Sequence, residues 1–518
     1  MREPLDRLVA RHRADGRMVG LAAAAVDRDG VLLTACHGPA DVAAGRPVGP
    51  DTVFQIGSIS KVFTAVLAVQ QWEAGRLDPH APVREYLPWL PSSYRRISSH
   101  QLLSHTSGLA SGSDVSPPSP YLAIAAAYPP PVADGGFYYG NANFQVMGLV
   151  VEALAGRPYA DVLTDGILVP LGMTGSFPTI TAAARPPMAV GYHLSPDDRP
   201  FAAGDGLAPA QFFEYTAGDG CLACPIGDLA AFARMLLNEG RPVLTPAGFE
   251  LLTSPVVDTV DTVDGESACY GVFAGDKYGY RDLNHGGNMV GYDSMMCVDP
   301  ATGLGAVTLS TGVADSAPIA RGLLGMLRDE RAGRPPTLPP PPVQAPLPDY
   351  EKAYRKAGAE RVVRVDGDRL LLDGVELHRV RDDVFAIAGS PFPVRFGRHD
   401  GAVVELAHGP GHWVTGGYPG ETGRPHPPEW DAYGGQYRSH NPFEPTFRVL
   451  VRNGELLQSL PFGRERRLEP TAEPGTFGIA GSRDVLTFDT LLTFDTLAGD
   501  RTLRATLSGC PYYRTMAG

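Results

Sequence analysis

The chain has 518 residues, with 57 acidic and 44 basic side chains and a net charge of −13 at pH 7. This length predicts roughly two to four domains with sizeable apolar cores. An acidic surface is a poor match for nucleic acids and anionic membranes, so we expect neither as a partner. Residues 1–20 lack the apolar stretch of a signal peptide and no apolar run could span a bilayer, which predicts a cytoplasmic protein.

The first 331 residues mix strands and helices. The stretch GLAAAAVDRDGVLLTACHG predicts two strands around a turn at Asp29-Gly30. Strands at both ends of this segment, with helices between them, indicate an α+β domain whose terminal strands share one sheet. The periodicity predicts helices at Ser58–Ala74, near Phe144–Leu154 and at Ile226–Leu237, then a strand at residues 303–312 and a helix at residues 317–330.

The six cysteines are too scattered for a disulfide framework. Cys221 and Cys224 form a single CxxC in GCLACPIG. A zinc site would need a second pair or histidines at ligand spacing, so small buried residues in a turn are the simpler interpretation and a redox or metal role is the alternative. We therefore expect no metal and no cofactor.

Two proline-rich stretches divide the rest of the chain. The predicted domains are residues 1–331, a stiff linker at 332–348, and two small domains at 349–425 and 426–518. Short alternating strands predict a small antiparallel β-barrel in each. The two small domains resemble each other, which suggests a duplication, and the second carries a tandem LTFDTL repeat over residues 486–497.

The chemistry begins at GSISK. The chain has four lysines, and Lys61 follows Ser58 by three residues at the start of an apolar helix. Residues three apart share a helix face, so these side chains should touch. A serine at a helix N-terminus can attack a carbonyl while its own N–H holds the developing oxyanion. A lysine in water is almost fully protonated at pH 7, so a lysine base needs a desolvated site, which the following apolar residues could supply.

Two later motifs strengthen this interpretation. Tyr139-Gly140-Asn141 stands just before a helical pattern, where the tyrosine could relay protons and the asparagine could bind the lysine or a substrate amide. His285-Gly286-Gly287 begins an expected edge strand, where glycines allow close approach of a substrate backbone. The histidine could donate to a substrate carboxylate or assist proton transfer.

The order and spacing of SxxK, Y-x-N and H-G-G resemble the serine β-lactamase and penicillin-binding-protein superfamily, in its class C branch. Further matching stretches are QLLSHTSGL, PLGMTGS and GDLAAFARMLL, so the resemblance covers about residues 1–330. It implies a β-lactamase/DD-peptidase-like catalytic domain, in which an antiparallel sheet is flanked by helices beside an all-helical part. The two following barrels would be lipocalin-like, a layout similar to that of D-aminopeptidases.

The resemblance also implies the roles of individual residues. Ser58 would be the acylated nucleophile, Lys61 its general base, and Tyr139 the completing member of the proton relay. Asn141 would position the substrate amide, and His285 replaces the lysine common at its position, which argues against efficient β-lactamase activity. The remaining substrate-binding residues would be Gly286, Gly287 and Asn288, with the second oxyanion N–H from Asn288.

The resulting prediction is a serine hydrolase that works through an acyl-enzyme on small peptide, amide or ester substrates, most simply a D-stereospecific aminopeptidase or amidase. A penicillin-binding-protein-type thioesterase that cyclises peptides, and a carboxylesterase of the same fold, are the alternatives. A non-enzymatic sensor is a weaker hypothesis, and an α/β-hydrolase lacks its G-x-S-x-G motif. By the same resemblance, residues 473–500 would influence substrate choice. A homodimer is the assembly considered.

Overall fold

A computed structural model of the protein describes most of the chain in two units. The first unit is built mainly from Met1–His193 and Leu207–Pro339, and the second contains both C-terminal barrels. No helix in the described ranges combines the length and apolarity needed to cross a bilayer. The described residues are 1–109, 136–195, 197–201, 205–259, 265–276, 280–341, 344–440, 443–461, 463–479, 492–498, 501–507 and 510–515.

The first unit is built around an eight-stranded antiparallel sheet ordered β2-β1-β14-β13-β12-β11-β10-β9. The first and last strands of the domain therefore meet, with Ala24 of β1 opposite Val307 of β14, and the predicted α+β architecture is confirmed. The strands are β1 (Met18–Asp27), β2 (Val31–His37), β3 (Pro39–Asp41), β4 (Arg46–Pro47), β5 (Phe54–Gln55), β6 (Tyr192–Leu194), β7 (Leu207–Pro209), β8 (Ala223–Cys224), β9 (Val257–Asp258), β10 (Ser267–Ala268), β11 (Phe273–Gly275), β12 (Asp282–Met289), β13 (Tyr292–Asp299) and β14 (Leu304–Gly312).

Helices cover the sheet and form a separate helical part. The described α-helices are α1 (Arg2–Arg13), α2 (Ser60–Glu73), α3 (Ser99–Leu103), α4 (Asn141–Ala155), α5 (Tyr159–Leu163), α6 (Ile226–Leu237), α7 (Pro246–Thr253) and α8 (Ala317–Arg331). Alternate residues of β1 pack into one core with α1 and α8, and α6 packs against β1 and β14. Nearly every residue of β1 is buried. The strand is therefore apolar as far as Val26, without the alternation of apolar and polar residues that a half-exposed strand shows. Helix α2 packs against α4 and α7.

The second unit contains two closed antiparallel barrels in which each strand pairs with the next in sequence, so the predicted pair of barrels is confirmed. The first comprises β15 (Ala353–Lys356), β16 (Ala359–Asp366), β17 (Arg369–Leu372), β18 (Val375–Arg381), β19 (Val384–Ile387), β20 (Val394–His399), β21 (Ala402–His408) and β22 (Gly411–Val414). The second comprises β23 (Gly435–Arg438), β24 (Thr446–Arg452), β25 (Glu455–Ser459), β26 (Glu465–Pro470), β27 (Thr476–Ile479), β28 (Leu492–Ala498), β29 (Arg501–Leu507) and β30 (Cys510–Arg514).

The two barrels repeat one structural detail. In the first, the hydroxyl of Tyr354 donates to the carbonyl of Tyr350, 2.9 Å away. In the second, Tyr437 donates to the carbonyl of Tyr433 at 2.8 Å. In each pair the first tyrosine ends or directly follows a short 3-10 helix, and the second lies in the first strand of its barrel. This correspondence supports the duplication that the sequence suggests.

The tandem repeat is only partly described. Its first copy lies outside the described residues, and the backbone of its second copy belongs to β28. Half of residues 473–500, the segment expected to influence substrate choice, also lies outside them. The domain boundaries at residues 331, 348 and 425 stay predictions.

Candidate active site

Ser58 lies in a tight 3-10 turn, Gly57–Ile59, that leads directly into α2. Gly57 has a φ of +50°, and a Cβ there would come within 2.7 Å of the backbone N and O of Asn288. A Cβ on Gly287 would come within 1.9 Å of the carbonyl oxygen of Ile56. The turn before Ser58 and strand β12 therefore pack backbone against backbone, which only glycine permits at these two positions.

Lys61 is fully buried one helical turn after Ser58. Its Nζ lies 2.8 Å from Ser58 Oγ, 2.8 Å from Asn141 Oδ1 and 3.0 Å from the carbonyl oxygen of Asp219. Two of these partners accept hydrogen bonds only, whereas the serine hydroxyl can donate or accept. A neutral amine could thus donate to Asn141 and Asp219 and receive the proton of Ser58.

Tyr139 and Asn141 reach the same centre from the segment that opens α4. Asn141 is the first residue of that helix, and the Tyr139 ring centroid lies 5.0 Å from Lys61 Nζ. The Tyr139 ring also lies 6.2 Å from that of His285. Among the described residues, no hydrogen bond joins the Tyr139 hydroxyl to Ser58 or Lys61. The structure thus brings the three motifs together, and Tyr139 is held by ring contacts rather than by a hydrogen bond to the serine or the lysine.

His105 holds the Y-G-N segment in place, although its role was not predicted from the sequence. Its Nδ1 accepts from the backbone N–H of Gly140 at 3.2 Å and lies 3.1 Å from Asn143 Nδ2. Its carbonyl accepts from Tyr138 N at 2.7 Å, and its ring lies 4.5 Å from the ring of Tyr139. Burial, and then the charges of neighbouring groups, lower its pKa well below 6.5, so this histidine acts as a neutral acceptor. The signal that could have identified His105 was the stretch QLLSHTSGL, which is one of the stretches that match the superfamily. In the structure, His105 adopts a positive φ of 57°.

His285 lies on β12 and is 2% exposed. Its Nδ1 lies 2.5 Å from the carbonyl oxygen of Gly286, which requires the ring proton on Nδ1 and leaves a lone pair on Nε2. Nε2 is buried and, among the described residues, has no hydrogen-bond partner. Burial and then the nearby Lys61 charge lower the pKa of His285 to about 3. A histidine in this state accepts a hydrogen bond and does not supply a cation.

Strand β12 differs from the expected edge strand. It lies inside the sheet, between β13 and β11. However, β11 pairs only with residues 282–284 of β12, so from His285 onwards no described strand covers that side. The prediction of an edge strand was therefore wrong for residues 282–284, where β11 pairs with β12. Strand β11 was not predicted because it has only three residues, Phe273–Gly275. The open side begins at the H-G-G motif itself.

The pKa of His285 predicts a pH dependence of folding. A histidine whose pKa falls on folding stabilises the fold fully above about pH 6.5 and less as pH falls towards 3. Between pH 6.5 and about pH 4 we expect wild type to lose roughly 3 kcal/mol that His285→Gln does not lose. Urea unfolding at both pH values measures this, with the half-exposed His399 changed to glutamine as the control. Parallel losses in wild type and His285→Gln would contradict it.

The CxxC cysteines lie at the strand that pairs with the segment just before Ser58. Cys221 and Cys224 are both fully buried and free, and Cys224 belongs to β8, which pairs with β5 just before Ser58. Burial raises the pKa of both thiols, which disfavours the reactive thiolate. The structure therefore agrees with the interpretation of these residues as packing groups.

Comparison with known proteins gives consistent relatives. The family model described as beta-lactamase matches residues 5–325. Penicillin-binding protein 4 of Amycolatopsis lactamdurans is 31% identical over 376 residues, which cover 67% of this chain and 95% of that protein. The esterase EstB of Burkholderia gladioli is 28% identical over 36% of this chain and 54% of its own length.

Solved structures share the fold. The octameric penicillin-binding protein homologue from Pyrococcus abyssi superposes with a TM-score of 0.59 at 21% identity, covering 90% of this chain and 99% of that one. A D-stereospecific amidohydrolase from Streptomyces sp. superposes with a TM-score of 0.54 at 23% identity, covering 62% of this chain and 98% of that one. At these identities the likeness concerns the fold alone.

Proposed function

The chain belongs to the beta-lactamase family of serine hydrolases, and we propose that within this family it is a D-stereospecific aminopeptidase or amidase. The observation that carries the proposal is the fully buried amine of Lys61, 2.8 Å from Ser58 Oγ. An amine held against a serine hydroxyl can accept its proton, and the serine can then act as a nucleophile. Ser58, Lys61 and Tyr139 are the proposed catalytic residues.

The reaction proceeds by acyl transfer. The O–H proton of Ser58 moves to Lys61 Nζ while Oγ forms a bond to the substrate carbonyl carbon. The carbonyl electron pair moves to oxygen, which the N–H groups of Ser58 and Asn288 stabilise. The proton then passes through Tyr139 to the leaving amine as the C–N bond breaks. Water repeats these steps to release the acyl group.

The remaining site residues would bind substrate. Asn141 Oδ1 already accepts a hydrogen bond from Lys61 Nζ, and the side-chain amide N–H of Asn141 can donate to a substrate carbonyl. Gly286 and Gly287 leave the open side of β12 accessible to an extended substrate backbone. His285, neutral and with a lone pair on Nε2, would accept from a substrate N–H.

The state of His285 favours peptide or amide substrates over β-lactams. A fixed cation attracts the carboxylate that β-lactams carry, whereas a neutral acceptor does not. A free ammonium or an amide N–H suits the acceptor. This is the chemical reason for proposing an aminopeptidase or amidase rather than a β-lactamase.

A substrate panel tests the proposal. The D- and L-forms of an aminoacyl p-nitroanilide, each with free and with acetylated amine, would be compared with the matching esters and thioesters. We expect the free-amine D-amide to have the highest kcat/KM. Equal turnover of D- and L-amides, or turnover of esters alone, would contradict it. Adding an amine acceptor separates hydrolysis from the transacylase alternative, in which aminolysis products would dominate. A cytoplasmic location and a homodimer stay predictions.

Changing His285 to lysine should shift selectivity towards carboxylate-bearing substrates. The new ammonium would supply the cation that His285 lacks, so acylation by benzylpenicillin should rise at least about tenfold relative to acylation by a neutral ester. His285→Gln, which adds no charge, is the matched control. The ratio of the two acylation rates is the measurement, and an unchanged ratio in His285→Lys would show that this position does not select substrate charge.

A further inference from the structure

A buried lysine needs compensation for its charge. Lys61 is fully buried, and an ammonium in such a site costs several kcal/mol unless an anion or strong acceptors face it. The described groups that respond to its charge are two bases, His105 and His285, and one acid, Asp219. Both histidines are neutral at neutral pH because burial lowers their pKa. The phenol of Tyr139 lies beside the amine as well, with its ring 5.0 Å away.

Asp219 contributes both its backbone carbonyl and its side-chain carboxylate to the surroundings of Lys61. Its backbone carbonyl accepts from Lys61 Nζ at 3.0 Å. The Asp219 residue is 3% exposed. The hydroxyl of Tyr215 donates to its carboxylate and lies 2.8 Å from Oδ1 and 3.0 Å from Oδ2. Gln145 Nε2 lies 3.2 Å from that hydroxyl and donates to it. The carboxylate is therefore fixed by an ordered chain of hydrogen bonds rather than by solvent.

The ionisation of Asp219 is set by opposing effects. Burial is the largest effect and raises the pKa of Asp219 above its usual value, and Lys61 and the Tyr215 hydroxyl offset part of this rise. Two further titratable groups face the carboxylate. They are Tyr159 and Cys221, and the charge of Asp219 raises the pKa of each. Both stay neutral because burial raises their pKa further, so Lys61 is the one cation among the described groups that interact with this carboxylate.

We propose that Asp219 is a positioning residue for acylation, whose carbonyl orients the Lys61 amine and whose carboxylate stabilises the positive charge that Lys61 acquires from Ser58. This rests on the proposed function of Ser58 and Lys61. In the step concerned, the O–H bond of Ser58 breaks and an N–H bond forms on Lys61. The site then contains an ammonium that His105 and His285 cannot balance. A fixed carboxylate stabilises that ammonium without touching the substrate.

The test is the pH profile of Asp219→Asn, which keeps the size of the side chain and the backbone carbonyl but removes the charge. Without the carboxylate, the ammonium that forms on Lys61 during acylation is less stable. We expect the acid limb of kcat/KM to move towards acid by about one pH unit and the plateau to fall about tenfold, because the base is weaker. A role confined to structure would lower activity without moving the limb.

Tyr215→Phe provides a second, milder variant. It leaves the charge but removes the hydroxyl that holds the carboxylate, so the limb should move in the same direction by less. If Asp219→Asn does not fold, as judged by circular dichroism, this variant carries the test. The substrate is p-nitrophenyl acetate, with intact mass to locate the acetyl group. If wild type is acetylated at Ser58 but the pH profiles of wild type and both variants superimpose, the proposed role of Asp219 is overturned and the proposed function is not. Wild type not acetylated at Ser58 overturns the proposed function.

Discussion

Replacing Lys61 by methionine is expected to reduce acylation of Ser58 by at least about 10³-fold. Methionine fills a similar volume but cannot accept the serine proton. The hydroxyl would then have no base at 2.8 Å, and Asn141 and the Asp219 carbonyl would each lose a donor. Stopped-flow acylation with a chromogenic ester measures the effect, and thermal unfolding checks that the variant keeps its fold.

Lys352→Met is the matched control for this prediction. Lys352 lies in the first barrel and donates to the carbonyl of Val403, so the substitution removes one lysine without altering the catalytic centre. It should acylate at the wild-type rate. If Lys61→Met folds and acylates within tenfold of wild type, then Lys61 is not the base, and another group must receive the proton of Ser58.

Replacing Gly287 by alanine is expected to reduce acylation at least about 100-fold. The new Cβ would come within 1.9 Å of the Ile56 carbonyl and 2.5 Å of Ser294 Oγ. Neither can move freely, because the Ile56 carbonyl already accepts from Ser294 at 2.9 Å. The turn that carries Ser58 would have to separate from β12, which would misalign the proposed nucleophile, Ser58, and the proposed oxyanion donor, Asn288.

Gly286→Ala is the comparison that isolates this effect. It introduces the same methyl group on the neighbouring residue, where the nearest heavy atom lies 3.7 Å from the new Cβ. This variant should lose far less acylation than Gly287→Ala and should keep the melting temperature of wild type. Equal losses in the two variants would show that the close packing of β12 against the Ser58 turn is not what aligns the site.

The local parts of the site could be predicted because they depend on spacing along the chain. Ser58 and Lys61 touch because three residues make almost one helical turn. The predicted helix at Ile226–Leu237 matches α6 residue for residue, because its apolar stripe and boundaries are both strong signals. The helix after Ser58 begins at Ser60 instead, because Gly57 forces a 3-10 turn ahead of it.

The remaining parts depend on contacts between distant segments. No periodicity reveals that the carbonyl of Asp219 meets Lys61, 158 residues earlier, or that Tyr215 covers the carboxylate of Asp219. The protonation state of His285 likewise follows from its burial and from the Gly286 carbonyl, neither of which a sequence displays. From the sequence, His285 could donate to a carboxylate or assist proton transfer, and the role proposed from the structure is that of a hydrogen-bond acceptor.

In the proposed mechanism, Ser58 becomes acylated because Lys61 removes its proton. The most direct measurement is intact-mass analysis of the whole protein after reaction with p-nitrophenyl acetate, followed by peptide mapping, for wild type, Ser58→Ala and Lys61→Met. We expect one acetyl group on Ser58 in wild type and none on the active-site peptide of either variant. An acetyl group on another residue of folded wild type, or unchanged acetylation of Ser58 in Lys61→Met, would contradict it.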